Sequence, residues 1–249
     1  MLHEAQDQFQ RTALLIGREN IKILKNRRVA VFGVGGVGGH TAEALCRAGV
    51  GNIDIFDGDV VDITNINRQL IATFKTVGQN KVDVMRDRLL EINPDAVINA
   101  LKIFYLPETA DEIDLSVYDY IIDAVDTMTA KLEIISRAKA LNVPVISSMG
   151  AANKLNPAAF EVADIYETTV CPMARIMRSE LRKRGVESLR VVYSKETPKK
   201  PSYGSDSHDN SDIKTRSPPA SIAFVPPVAG LILAGEVIKD LIGEKYCGF

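Results

Sequence analysis

The sequence predicts an α/β protein: a doubly wound, mainly parallel sheet extended by C-terminal strands and preceded by N-terminal helices. Three observations carry that prediction. Short β-branched runs alternate with amphipathic segments in a β-α-β rhythm through the first 150 residues. Runs such as YIIDAV (120–125) are apolar without alternation, as in a parallel strand buried on both faces. The stretch VAVFGVGGVGG (29–39) joins a strand to a helix through a loop dense in glycine.

From Met1 to Asn26 the apolar residues Phe9, Ala13, Ile16, Ile21 and Leu24 recur at helical spacing. VAVF (29–32) is the first strand and leads into a helix over 38–48, and NIDIFD (52–57) is the second strand. A helix over 78–92 follows, opened after Gly78 and closed before Pro94. AVINALKI (96–103), DYIIDAV (119–125) and PVISSM (144–149) supply three further strands, with a helix over 128–141 between the last two. In the second half, FEVADI (160–165) and LRVVYS (189–194) flank a helix over 172–184, and a helix over 228–242 closes the chain. The segment from Thr197 to Pro219 is polar and rich in Ser, Pro, Lys and Asp, which reads as a mobile crossing loop. The expected organisation is one domain: a helical arm (1–27), a nucleotide-binding half (28–150) and a substrate and dimer half (151–249).

With 249 residues, 46% hydrophobic content and a net charge of −2, the chain has enough apolar material for a core without staples. The longest apolar run, 222–235, holds Pro226 and Pro227 and is shorter than the roughly 20 residues of a membrane span, so no membrane role is expected. Three scattered cysteines (Cys46, Cys171, Cys247) fit a reducing cytoplasm and give neither a disulfide framework nor a CxxC zinc site. His3, His40 and His208 have no ligand spacing and read as surface or loop residues.

Gly33, Gly35, Gly36 and Gly38 follow a strand and open a helix, where glycine permits a tight turn and brings phosphate onto backbone N–H groups at a helix N-terminus. Asp57 ends the next strand 19 residues after Gly38, where a carboxylate accepts from a ribose. At that point a dinucleotide and ATP are equally served. DGDVVDITNINRQL (57–70) and GQNK (78–81) separate them: Asp57 and Asp59 are followed by Asn65, Arg68, Gln69 and Lys81. Two cations just past the ribose carboxylate suit a triphosphate attacked at its α-phosphorus. Asp126, at a strand-to-helix junction, reads either as a helix N-cap or as a residue facing the ligand crevice.

The ordered set GxGGxG, D-x-D, N-x-x-RQ, G-x-x-K, Asn93-Pro94 and Asp123-x-x-Asp126 resembles that of the E1-like adenylating enzymes, with their Rossmann-like fold. The resemblance implies ATP with Mg2+, Asp126 as the magnesium-linked acid, Arg68 and Lys81 on the phosphates, and Asp57 on the ribose. It also implies a homodimer in which an N-terminal arginine, matched here by Arg11 in QFQRTALLIG, reaches the neighbouring site. Paired CxxC motifs and a separate cysteine domain, found in other branches, are missing, and Thr127 stands where those enzymes usually have Asn. RTALLIG, DAVDTMTAK, PMARIMRSELRKRGV and SIAFVPPVAGLILAGEVIKDLI together resemble the branch that dehydrates threonylcarbamoyladenosine in tRNA. That branch implies carboxylate adenylation followed by intramolecular ring closure, for which effective molarities reach about 10⁵–10⁸ M and no thioester is needed. Modified tRNA is then the substrate, with a cysteine desulfurase or sulfur carrier as a further partner. An activator of a ubiquitin-like or sulfur-carrier protein shares the chemistry and stays open, as does a dinucleotide oxidoreductase.

Charge placement bears on RNA. From Cys171 to Lys200 nine Lys/Arg face three Asp/Glu in an otherwise acidic chain. Arg175, Arg178 and Arg182 share one helix face and, with Lys199 and Lys200, are expected to meet a phosphate backbone. Cys171 precedes Pro172 and is expected at a helix N-cap, either as an acidified thiol or as a small capping residue. Cys46, within an apolar helix, reads as core.

Overall fold

A computed structural model describes residues 7–200 and 219–243. Two short helices open it, α1 (Gln10–Ile16) and α2 (Arg18–Lys25). The expected N-terminal helices are two, divided at Gly17, whose φ of +85° no helix continues through. The sheet then builds as β1 (Arg28–Phe32), α3 (Gly38–Ala48), β2 (Asn52–Phe56), α4 (Lys81–Ile92) and β3 (Val97–Leu101). It continues with β4 (Tyr120–Asp123), α5 (Met128–Ala140), β5 (Val145–Ser148), β6 (Phe160–Asp164), α6 (Pro172–Lys183), β7 (Arg190–Ser194) and α7 (Pro226–Ile242).

The seven strands run in the order β3-β2-β1-β4-β5-β7-β6. Every pair is parallel except β6 with β7, so the doubly wound sheet is indeed extended by the C-terminal strands, with one antiparallel edge. Order reverses between β1 and β4, the switch point outside whose carboxyl ends ligands bind in such sheets.

Alternation along the strands divides the core between two faces. Val29, Val31, Ile53 and Ile55 pack with Leu24, Leu45, Met85, Leu89, Ala229 and Leu233, placing α2, α3, α4 and α7 on one face. Ala30, Phe32, Ile121 and Val191 pack with Ile134, Ile135, Met177 and Leu181 from α5 and α6 on the other. Cys46 is fully buried in the first cluster, and burial pushes its thiol up to about 11. The strand and helix material expected in 96–103, 119–125 and 78–92 is shorter in the structure. β4 stops at Asp123 and α4 starts at Lys81, which leaves Ala124 to Asp126 and Gly78 to Asn80 as site-forming turns.

Candidate nucleotide and acyl site

The glycine loop leaves β1 at the switch point. Gly33 N donates to Phe56 O at 2.7 Å and Ala124 N donates to Phe32 O at 2.9 Å, so β2, β1 and β4 reach the crevice in register. Gly38, in the first turn of α3, passes so close to the loop that a Cβ there would stand 1.8 Å from Gly33 O. No side chain fits, and the helix N-terminus is thereby drawn onto the loop. Asp57 fixes the loop from below: its carboxylate accepts from Val34 N at 2.9 Å and from Asp59 N at 2.9 Å. Each oxygen keeps acceptor capacity for a further donor. Burial pushes the Asp57 carboxyl up, and the Lys81 ammonium opposes that rise.

Lys81 is buried at the first position of α4, and its Nζ donates to Asp59 Oδ2 at 2.7 Å. The segment between β2 and α4 is shaped by a capping box, in which Asp62 accepts from Thr64 N while Asn65 Oδ1 accepts from Asp62 N. That turn buries Asn65 and Gln69 and lays Arg68 over the glycine loop, its Cγ 3.4 Å from where a Gly36 Cβ would be. Arg68 Nη1 donates to Thr64 O and Asn67 Oδ1. Gln69 Nε2 lies 3.7 Å from where a Gly35 Cβ would be, and Gln69 Oε1 is buried with no donor among the described residues. Unpaired polar groups at such a depth are rare without a ligand or solvent to serve them.

Asp126 is not the N-cap of α5. Thr127 holds that position, and the exposed Asp126 meets only the Thr127 hydroxyl, at 3.5 Å, among the described residues. What places it is a pair that sequence reading passed over. Asp123 and Lys131 are both fully buried and meet at 2.9 Å; Lys131 Nζ also donates to Val125 O, and Asp123 accepts from Ser147 Oγ at 2.5 Å. The ammonium thus clamps the turn that carries Asp126. The available signal was the spacing Asp123 to Lys131 within DAVDTMTAK, an acid and a base closing one turn around a helix start.

Other expected residues lie elsewhere. Asn93 is buried at the C-cap of α4 and accepts from Gln8 Nε2 at 2.9 Å, a structural role. His40 is on α3, half-buried rather than in a loop; its Nδ1 faces Gly36 O at 3.0 Å, and burial pushes its pKa down. His3, Cys247 and residues 201–218 of the expected crossing loop, His208 among them, lie outside the described residues. Arg11 is exposed on α1, two residues after Phe9, whose ring packs against Gly49 at the far end of α3. With α3 rising about 16 Å over its length, Arg11 starts at the opposite end from the glycine loop.

The basic stripe on α6 is more occupied than its sequence suggested. Arg178 donates to Thr168 O at 2.9 Å and to Thr168 Oγ1, and the Arg182 guanidinium lies 4.9 Å from the Tyr166 ring centroid. Lys183 and Arg184 pair with Glu180, Arg190 with Asp240, and Lys195 with Glu161. Arg175, Lys199 and Lys200 are exposed with no ion pair among the described residues. Cys171 does N-cap α6, but it is buried and its thiol makes no cap bond.

Among the described residues no cluster of three or more His, Cys, Asp or Glu forms a metal site, and no helix is long and apolar enough to cross a membrane. A cleft of about 510 Å³ lined by Tyr120, Asp164, Arg190 and Asp240 opens at the amino ends of β4, β5 and β7, away from the glycine loop.

A glycine loop at the switch point, a carboxylate beneath it and two cations beside it define a Rossmann-like nucleotide-binding protein with an E1-like fold. The chain belongs to the ThiF family, whose profile matches residues 9–248. It is 47% identical to the tRNA threonylcarbamoyladenosine dehydratase of Bacillus subtilis (strain 168), across 98% of this chain and 96% of that protein. It is 33% identical to the Escherichia coli (strain K12) dehydratase across 71% of this chain and 66% of that protein. The E. coli enzyme's structure in complex with AMP superposes with a TM-score of 0.84 at 28% identity, covering 96% of this chain and 95% of that one. Its complex with ATP gives 0.82 at 26% identity, covering 97% and 96%.

Proposed function

We propose that this chain is an ATP-dependent enzyme that dehydrates N6-threonylcarbamoyladenosine in tRNA to its cyclic form. The carrying observation is 47% identity to one dehydratase of that name across nearly the whole of both chains, on a fold that also matches the ATP and AMP complexes of another. In the first step the threonyl carboxylate attacks the α-phosphorus of ATP and pyrophosphate leaves. In the second the carbamoyl group attacks the activated carbonyl and AMP departs with the oxygen, so one water is lost from the nucleoside overall. Ring closure within one substrate needs no thiol relay, in keeping with a buried Cys171.

The roles we assign follow the geometry. Backbone N–H groups of Gly35 to Gly38 receive phosphate, Asp57 accepts from the ribose, and Asn65 and Gln69 line the cradle, the unpaired Gln69 oxygen facing a ligand donor. Arg68 and Lys81 offset the charge that develops on the leaving pyrophosphate, Lys81 exchanging its contact with Asp59 for phosphate. One exposed carboxylate beside a triphosphate suits Mg2+, which binds through one or two carboxylates plus phosphate oxygens and water. Asp126 would hold that ion, and the ion would supply neutralisation of the pyrophosphate.

Arg11 acts on the neighbouring subunit's site in a homodimer. Its distance from its own loop and the exposure of Leu14 and Leu15 (84% and 83%) on the same helix support that reading. Arg175, Lys199 and Lys200 contact tRNA phosphates, while Arg178 and Arg182 hold α6 in place for them. A cysteine desulfurase or sulfur carrier would be an accessory partner only. The test is mass spectrometry of nucleosides from modified tRNA incubated with protein and ATP-magnesium. Loss of one water from threonylcarbamoyladenosine is expected. Pyrophosphate exchange that instead requires a carrier protein ending in Gly-Gly would refute the reading in favour of a carrier-activating enzyme.

A further inference from the structure

One buried cation has no counterpart in these roles. Lys154 lies in the turn between β5 and β6 and is 4% exposed. Its ammonium makes no hydrogen bond or ion pair with any described residue, and burial of the side chain disfavours the charged form. Glu196, the acid near it, is already engaged: its carboxylate accepts from Leu155 N at 3.0 Å and Asn156 N at 2.7 Å. The turn is pinned from both sides through Asn153, which accepts from Lys199 N, donates to Ala220 O and accepts from Ala220 N. The lysine is therefore held in place, not merely swept inward.

The other group in its surroundings is Cys171, at the N-cap of the 12-residue helix α6. Pro172 has no N–H, and no described residue accepts from Met173 N or Ala174 N, so the helix presents open donors and its positive end there. Met173 Cβ lies 3.9 Å from where a Gly150 Cβ would be, which seats this end just past the carboxyl end of β5. β5 is the neighbour of β4, which leads to Asp126, so both sites follow the carboxyl ends of adjacent strands.

We infer that Lys154 and the N-terminus of α6 form the pocket that holds the substrate's carboxylate for attack on the nucleotide. This rests on the functional reading above and adds to it a positioning and specificity residue. An unpartnered ammonium at the tip of an otherwise buried side chain suits one small anion entering end-on, whereas backbone phosphates meet the exposed Arg175, Lys199 and Lys200 outside.

The test uses the full-length enzyme and three probes: tRNA bearing threonylcarbamoyladenosine, the same tRNA with that carboxylate converted to a carboxamide, and unmodified tRNA. Wild type is expected to bind the carboxylate form about tenfold or more tighter than the carboxamide, the worth of one charge-assisted hydrogen bond. Lys154→Met should erase that preference while leaving ATP affinity and unmodified-tRNA affinity unchanged, and Lys154→Arg should restore part of it. Because an unpaired buried charge is removed, Lys154→Met should melt no lower than wild type, an outcome a merely structural lysine would not give. Retention of the preference in Lys154→Met overturns the inference, as does a lower melting temperature with the preference intact. Equal weakening of all three tRNAs assigns the lysine to backbone phosphate and also overturns it. If wild type releases no pyrophosphate with modified tRNA, the functional reading itself fails and this inference with it. If wild type does so and Lys154→Met matches its KM for tRNA, only the lysine's role fails.

Discussion

Lys131→Met probes the clamp that sets the position of Asp126. Methionine keeps most of the lysine's volume and removes its charge, so packing changes little while two groups lose a partner. The Asp123 carboxylate, fully buried, loses its contact at 2.9 Å, and Val125 O loses its donor at 2.9 Å. Asp123 retains Ser147 Oγ and Val125 N, neither of which carries a charge. Removing one partner of a buried pair costs about 3–5 kcal/mol, since an uncompensated charge stays behind. At about 2–4 °C per kcal/mol for a chain of this size, the melting temperature should fall by about 6–20 °C. Scanning calorimetry with and without ATP measures it. ATP should also protect the variant less than wild type, because the freed turn no longer holds Asp126. The double variant Asp123→Asn with Lys131→Met removes both charges and should recover much of the loss. A single variant melting within about 2 °C of wild type, or a double variant falling below the single, would refute the clamp.

Other expectations concern the loop, the dimer and pH. Gly38→Ala places a methyl 1.8 Å from Gly33 O and should cost about 1–3 kcal/mol by overpacking, with ATP affinity falling at least in proportion; isothermal titration checks it. Mixing Arg11→Ala with Asp126→Ala subunits should restore one intact site per heterodimer, and no recovery of turnover on mixing would place Arg11 in its own subunit's function or in none. Burial pushes the Lys154 pKa down, so folding is disfavoured by its ammonium at neutral pH, and that cost vanishes as pH rises into the ordinary lysine range. Any gain in melting temperature from Lys154→Met should therefore be largest near neutrality and narrow in alkali, and a gain that grows with pH would contradict the sign. Arg178→Ala should lower stability by about 1–3 kcal/mol through the lost Thr168 contacts, whereas Arg175→Ala should leave stability unchanged and reduce the salt dependence of tRNA binding.

The sequence by itself determined the strand-helix alternation, the glycine loop with Asp57 beneath it, and the ordered acids and cations from Asp59 to Lys81. Those are local facts: periodicity, the backbone freedom of glycine, and residues close in sequence around one strand end. It also marked Asn93 and the α6 arginines, but could not tell a residue that binds a ligand from one that binds the fold. Only the tertiary structure decided that Asn93 holds Gln8, that Arg178 and Arg182 are tied to Thr168 and Tyr166, and that Asp240 and Glu161 from distant elements neutralise the basic segment. It alone brought β7 between β5 and β6, set the N-terminus of α6 against Gly150 past the end of β5, and buried the Lys154 side chain in the turn that follows. The reason is physical: whether a charge is paired, and at what depth, depends on which distant segments pack around it, and no spacing along the chain records that.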